Sequence, residues 1–314
     1  MTGDVVVRPM AAGDLAEAAR VYRLAFGTFL GVPDPTRFRL DIRTLETRFA
    51  TDPGAAFVAE REGRLLGCAV GMDWGSQFVV GPLAVDPACW GQGVARLLTA
   101  AILESAARRE PALVSLFTHP ASTLHLRLYE SFGFVPMFLT PVMSKPANQP
   151  AISPPALRLV SALPRPERSI VLDQSRVLTQ ASFPGLDLRR EIEAVEAQRL
   201  GETILLEGSG GLAGLALCHI GVGTEAGDGV LFVKFAAVRP GAAAEFERLL
   251  DAVEALAGER RVQRIAAGVN AGRRDAYRRM LGRGFRAELV GVAMHRPDGL
   301  GTLRPDVYII DDWR

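Results

Sequence analysis

The residue types best suited to binding a ligand lie in one stretch, where an apolar strand pattern ends at Val85 and a glycine loop, Gly91-Gln92-Gly93, leads into a helical pattern. Such a loop exposes backbone N–H groups at the positive end of a helix, and glycine lets a phosphate approach without a Cβ in the way. Within the strand, Gly81-Pro82 interrupts the ladder because proline has no N–H to donate, which favours a bulge. The pattern predicts an anion cradle beside a strand whose backbone, at Leu83 and Val85, is free to bind a ligand.

A Gly-x-Gly loop taken alone is also typical of an ordinary helix start. Two neighbouring motifs favour ligand binding: the strand Leu83-Ala84-Val85 followed by Pro87, and Leu128-Tyr129-Glu130-Ser131-Phe132-Gly133-Phe134 further along the chain. With the loop, these motifs resemble the GNAT acetyltransferase superfamily over roughly residues 5–140. The second half of the chain resembles that superfamily only in the order of its elements.

The resemblance implies an N-acetyltransferase that uses acetyl-CoA as cosubstrate and an amine as acceptor. In that family the strand backbone, here Leu83, Ala84 and Val85, holds the pantetheine arm and the acetyl carbonyl, and the Leu83 N–H would face the developing oxyanion. The loop and the helix start bind the pyrophosphate of CoA. The positions that the resemblance assigns to this role are Trp90, Gly91, Gln92, Gly93, Val94, Ala95 and Arg96.

Two positions depart from the family pattern. Trp90 stands where the family has Arg or Gln, which removes one side-chain contact to the cofactor but spares the backbone cradle. Ser122, seven residues before Tyr129, stands where the family often has Asn as a further pantetheine contact. Ser122 is a shorter polar substitute, and we expect it to bind the cofactor as well.

Tyr129 is the residue that the resemblance assigns to catalysis. Its hydroxyl would protonate the leaving thiolate as a general acid, while a neutral amine attacks the thioester directly without a covalent enzyme intermediate. The alternative for this residue is a ring that only packs in the core. The alternative for the chain, left open by Trp90 and Ser122, is a non-catalytic acyl-CoA-binding or interaction protein. A general base is harder to place, because water could remove the proton. The candidates are His119, His125, Glu60 and Asp73.

The chain repeats one order of elements. A hairpin, a strand ending in Val-x-Pro, a helix, a strand and a Gly-Phe pair follow one another in both halves, with Val85 and Val238 at corresponding places. We therefore predict an α/β fold of two tandem GNAT-like domains, each a mixed, mostly antiparallel sheet flanked by helices. The predicted domains are 1–147 and 158–314, joined by a Pro-rich linker at 148–157. Helices are expected over 12–29 and 35–51.

The second half lacks the features that carry chemistry in the first. After Val238-Arg239-Pro240 the helix begins without a Gly-x-Gly loop, and Met280 takes the place of Tyr129. Five arginines from Arg273 to Arg283 predict an exposed helix face, with an anionic-ligand patch as the alternative. Residues 311–314 predict a polar end after a last strand over 307–310. A single working site per chain is the prediction.

Composition excludes several other classes of function. The 36 basic and 35 acidic residues leave no basic excess for nucleic-acid binding, and no apolar run is long enough to span a membrane. Three widely spaced cysteines indicate neither a disulfide framework nor a metal site. All basic residues but two are arginine, which suggests a bacterial genome. We expect a cytoplasmic protein that acts on a small-molecule or peptide amine, with a homodimer left open.

Overall fold

The computed structural model describes residues 4–147 and 157–313, so the linker predicted at 148–157 lies outside the described residues except for Leu157. The first half contains six strands and four α-helices: β1 Val6–Pro9, α1 Leu15–Phe29, α2 Thr44–Thr51, β2 Ala56–Arg61, β3 Arg64–Trp74, β4 Gln77–Val85, α3 Val94–Ala107, β5 Leu113–Thr118, α4 Thr123–Glu130 and β6 Val135–Pro146.

The second half repeats this order. Its elements are β7 Arg158–Leu159, α5 Arg165–Gln180, α6 Arg189–Ala197, β8 Gly201–Gly208, β9 Gly211–Gly221, β10 Gly227–Val238, α7 Ala243–Glu259, β11 Arg264–Gly268, α8 Arg274–Gly282, β12 Arg286–Arg296 and a short extra strand, β13 Ile309–Ile310.

One predicted helix is shorter than expected. The pattern over 35–51 forms an α-helix only from Thr44, because Asp34 accepts a hydrogen bond from the Thr36 N–H and closes a single 3-10 turn at Pro35. The chain then passes Arg39 at φ 49°, a conformation that no α-helix contains. This segment is a loop with helical ends.

The strands of both halves form one continuous sheet, in the order β1-β2-β3-β4-β5-β12-β6-β11-β10-β9-β8-β7. The sixth strand of each half, β6 in the first and β12 in the second, lies inside the other half. Strand β12 inserts between β5 and β6, and β6 in turn lies between β12 and β11. The tandem α/β architecture is confirmed, and the exchange of final strands, which the repeat pattern does not reveal, fuses the two sheets. Inserting a strand also covers two sheet edges that would otherwise be exposed.

The two halves also share a core. Helices α1 and α2 pack on one face of the first half and α3 on the other. In the second half, α7 and α8 cover one face and α5 and α6 the other. The core under α5 and α6 includes Met72, Trp74 and Val79 from the first half. The exchanged strands and this shared core bring the second half directly against β3 and β4.

Candidate functional site

Strand β4 leaves its neighbour partway along its length. It pairs in parallel with β5 only from Gln77 to Val80, and its antiparallel register with β3 shifts between Val80 and Leu83. The predicted bulge at Gly81-Pro82 is therefore present. Gly81 adopts φ 147°, a conformation that glycine accepts far more readily than any residue with a side chain. From Leu83 to Val85 the strand is paired with β3 on one edge, while no strand of the described chain pairs with its other edge.

The loop after this strand has the geometry of an anion cradle. Gly91 and Gly93 have φ of 76° and 79°, and no atom lies within 4 Å of the place where a Cβ would stand at either. Across the described residues, the backbone N–H groups of residues 91–95 donate to no protein acceptor. Five free donors at the start of α3, unobstructed by side chains, fit a pyrophosphate.

Trp90 has a role in this loop that sequence reasoning missed. Its indole Nε1–H donates to the carbonyl oxygen of Val85 at 2.8 Å, which ties the loop to the end of the strand. The side chain remains 45% exposed beside the glycines. Gln92 is held by the Ala88 carbonyl at 3.2 Å, and Arg96 donates to Ser131 Oγ at 2.9 Å. The substituted position therefore still supports the cradle, through a protein contact.

Tyr129 lies on α4 and packs against the same core cluster as Leu83. Its ring meets that of Phe134 at an edge, with the centroids 6.0 Å apart. Burial raises the pKa of Tyr129 to about 12, so the hydroxyl keeps its proton at neutral pH. No residue in the described ranges forms a hydrogen bond with this hydroxyl, which leaves it free to donate to a ligand. Ser122 caps α4 by accepting from the His125 N–H at 3.3 Å.

The two candidate histidines lie together. The rings of His119 and His125 both contact Phe29, at centroid distances of 4.8 and 4.9 Å, and with Ser122 the rings of His119 and Phe29 line a surface pocket. Burial lowers the pKa of His119 and of His125, so both rings are neutral near pH 7. A neutral imidazole beside a pocket can accept a proton.

The two candidate carboxylates are engaged elsewhere. Glu60 forms an ion pair with Arg8 at 2.8 Å. Asp73 lies 3.4 Å from Arg109 and 3.8 Å from Arg190, and it also accepts from the Gly75 N–H. Because these contacts occupy both groups, the structure favours the histidines as candidate bases.

The corresponding cleft in the second half is filled by the chain itself. Strand β10 pairs in parallel with β11 from Val230 to Val233, as β4 does with β5 from Gln77 to Val80. Beyond this point β13 takes the free edge and pairs with Ala236 and Ala237, while the Val238 N–H donates to the Tyr308 carbonyl at 3.2 Å. Ala236, Ala237 and Val238 correspond to Leu83, Ala84 and Val85 of the first half.

Arg273 secures the segment that fills this cleft. Like Ser122, it lies twelve residues before the Phe of its Gly-Phe pair and precedes the first residue of a helix. Its guanidinium donates to the Ile309 carbonyl at 3.0 Å and pairs with Asp311 at 2.9 Å. The expectation of an exposed face is therefore wrong for Arg273, which is fully buried. The polar residues expected after the last strand are buried as well, since Asp311, Asp312 and Trp313 are at most 5% exposed.

Comparison with known proteins identifies the class. Residues 52–136 match the family model described as an acetyltransferase (GNAT) domain. A mycothiol acetyltransferase of Thermomonospora curvata is 36% identical over 102 residues, which cover 30% of this chain and 32% of that protein. Another, from Cellulomonas flavigena, is 30% identical over 171 residues, which cover 49% and 48%. These matches span about a third to a half of the curated relatives.

Solved structures resemble nearly the whole chain. A Pyrococcus horikoshii protein described as a candidate acetyltransferase has a TM-score of 0.70 at 16% identity, covering 98% of this chain and 95% of that one. A GCN5-related N-acetyltransferase from Sphaerobacter thermophilus has a TM-score of 0.61 at 19% identity, covering 93% and 95%. The described chain therefore has the GNAT fold, and residues 52–136 match the GNAT acetyltransferase domain.

Two further properties concern the described ranges only. Within 4–147 and 157–313, no helix is both long enough and apolar enough to cross a membrane. Over the same residues, no three His, Cys, Asp or Glu side chains come together in a group able to hold a metal ion.

The chain offers a matched pair of glycines to test the cradle. Gly91 and Gly241 follow corresponding strands, share a φ of 76° and have open space where a Cβ would stand. Substitution by alanine should cost both variants a similar stability, about 1 kcal/mol for a side chain at positive φ. We expect Gly91→Ala, but not Gly241→Ala, to weaken acetyl-CoA binding about tenfold by titration calorimetry, because only the first Cβ would meet the pyrophosphate. Equal affinities would contradict the assignment of the loop.

Proposed function

We propose that this protein is an N-acetyltransferase that binds acetyl-CoA between β4 and β5 and transfers the acetyl group to an amine. One observation carries the proposal: the unpaired strand edge at Leu83–Val85 lies next to the five free N–H donors of residues 91–95. A pantetheine arm needs the first surface and a pyrophosphate needs the second. The filled cleft in the second half supports a single working site per chain.

The reaction follows from the groups around this edge. The lone pair of a neutral amine attacks the thioester carbonyl, and the Leu83 N–H would donate to the oxyanion that develops. The C–S bond then breaks, and Tyr129 donates its proton to the leaving thiolate. The amine loses its extra proton to His119 or to water, and a proton returned through solvent restores Tyr129. This sequence conserves the proton count and needs no covalent enzyme intermediate.

The acceptor enters the proposal only as a class. The curated relatives bear the name mycothiol acetyltransferase, which makes the unacetylated amine form of mycothiol the first compound to test. The rings of Phe29, His119 and His125 pack together and form an aromatic wall. Thiol release from acetyl-CoA, measured across this compound and a panel of amines, amino acids and peptides, tests the activity. Binding of acetyl-CoA without turnover of any amine would favour the alternative, a non-catalytic acyl-CoA-binding protein.

The role of Tyr129 as general acid predicts a specific loss. Tyr129→Phe should lower kcat about 100-fold while leaving the affinity for acetyl-CoA unchanged, because the hydroxyl acts on the leaving group and the ring packing is retained. Tyr277→Phe, on α8 of the second half, serves as the control and should leave kcat unchanged. Full activity of Tyr129→Phe at every pH tested would exclude the general acid.

The histidine pair predicts a pH dependence. Burial lowers the pKa of His119 below its ordinary 6.5, so the ring is a base at neutral pH and becomes protonated as the pH falls. If His119 accepts the amine proton, kcat/KM falls on acidification through that lowered pKa, and this decline disappears in His119→Gln. His125→Gln should keep it. An unchanged pH profile in His119→Gln would leave proton removal to water.

A further inference from the structure

A row of buried charges crosses from the second half into the first. The side chains of Arg48 on α2, Glu225 in the β9–β10 turn, Lys234 on β10 and Glu191 on α6 are each at most 5% exposed. Arg48 Nη2 lies 2.6 Å from Glu225 Oε2, and Lys234 Nζ lies 2.7 Å from Glu225 Oε1 and 2.9 Å from Glu191 Oε2. The row ends at Trp74, whose indole N–H donates to Glu191 at 3.1 Å.

The row is balanced, with two cations and two carboxylates. Burial alone would raise the pKa of Glu225, but Arg48 and Lys234 outweigh it and hold that pKa below its ordinary value. The same holds for Glu191, where Lys234 is the main opposing charge. Because removing charges from water is costly, a buried ion pair is weak evidence for stability by itself. A role for the row is therefore inferred from the groups that these side chains contact, and not from the number of ion pairs.

One contact reaches the strand that binds the cofactor. Arg48 Nη1 donates to the carbonyl oxygen of Gly81 at 2.7 Å, at the bulge where β4 leaves β5. The backbone carbonyl of Trp313, from the end of the second half, lies 3.9 Å from the position of a Cβ on Gly81. The bulge is thus held from outside the strand by the Arg48 guanidinium.

The other end of the row occupies the corresponding bulge of the second half. The register of β10 with β9 shifts between Val233 and Phe235, so Lys234 stands where Gly81 stands in β4. The Lys234 side chain, at the second bulge, contacts Glu225. Glu225 contacts Arg48, which donates to Gly81 in the first bulge. The two bulges are therefore connected through three charged side chains.

We propose that Glu225 is a positioning residue for the acetyl-CoA site, which orients Arg48 so that its guanidinium fixes the Gly81 carbonyl and, through it, the free edge at Leu83–Val85. The half without a phosphate loop then supplies part of the geometry that the other half needs. This inference rests on the proposed function, since it assigns a positioning group to the same cleft.

Glu191 provides a matched control. Glu225→Ala and Glu191→Ala each remove one buried carboxylate that contacts Lys234, but of these two, within the described residues, Glu225 alone forms an ion pair with Arg48. Arg48→Lys is a milder second variant, because it keeps the charge opposite Glu225 while one ammonium cannot reproduce the fork that spans the carboxylate and the Gly81 carbonyl. All variants are made in the full chain, and unfolding temperatures show which of them are folded.

The measurement is the dissociation constant for acetyl-CoA by calorimetry, together with KM and kcat. We expect Glu225→Ala and Arg48→Lys to raise the dissociation constant about tenfold above that of Glu191→Ala, the loss of roughly one well-placed hydrogen bond. KM for acetyl-CoA should rise with it, and kcat at saturation should change less. If Glu225→Ala does not fold, Arg48→Lys carries the comparison.

Two outcomes would overturn the inference. They differ in whether the proposed function fails as well. If wild type binds acetyl-CoA and the variants bind it as tightly as Glu191→Ala does, the row is structural only and the proposed function stands. If wild type binds no acetyl-CoA, the proposed function fails and the inference fails with it.

Discussion

Much of this structure depends on one constraint, namely that the backbone groups of a strand must find hydrogen-bond partners when the neighbouring strand diverges. Strand β4 separates from β5 after Val80, and β10 separates from β11 after Val233. In the second half the chain meets the constraint itself, by laying β13 along the free edge. In the first half no protein strand of the described chain does so, and a ligand with amide groups of its own would complete the ladder.

The different fates of the two clefts explain the other differences between the halves. A cleft that binds a CoA pyrophosphate needs free N–H donors and glycines, and these follow β4 in the first half. A cleft filled by protein needs side chains that fix the inserted segment, and Arg273 with Asp311 does this in the second. The second half nevertheless stays joined to the first through the exchanged strands β6 and β12 and a shared core. The second half therefore contributes strands and core to the common fold although its own cleft is filled by β13.

Local patterns in the sequence were enough to predict the parts of the site that depend on neighbouring residues. The bulge follows from Gly81-Pro82, the open loop from Gly91 and Gly93, and the repeated order of elements from the spacing of its landmarks. The partners of β6 and β12 could not be predicted, because both strands have the same apolar pattern whichever half they pair with. Arg273 illustrates the same limit: an arginine in a run of arginines looks exposed until Asp311, far along the chain, is brought beside it.

The central claim is that each chain has one open cofactor cleft and one cleft that its own backbone has filled. Titration of acetyl-CoA into the full chain by calorimetry tests this most directly, because the heat of binding reports the number of sites without requiring an acceptor. The account predicts one molecule of acetyl-CoA bound per chain. Two molecules per chain would show that β13 does not close the second cleft, and none would show that the free edge of β4 is not a cofactor site.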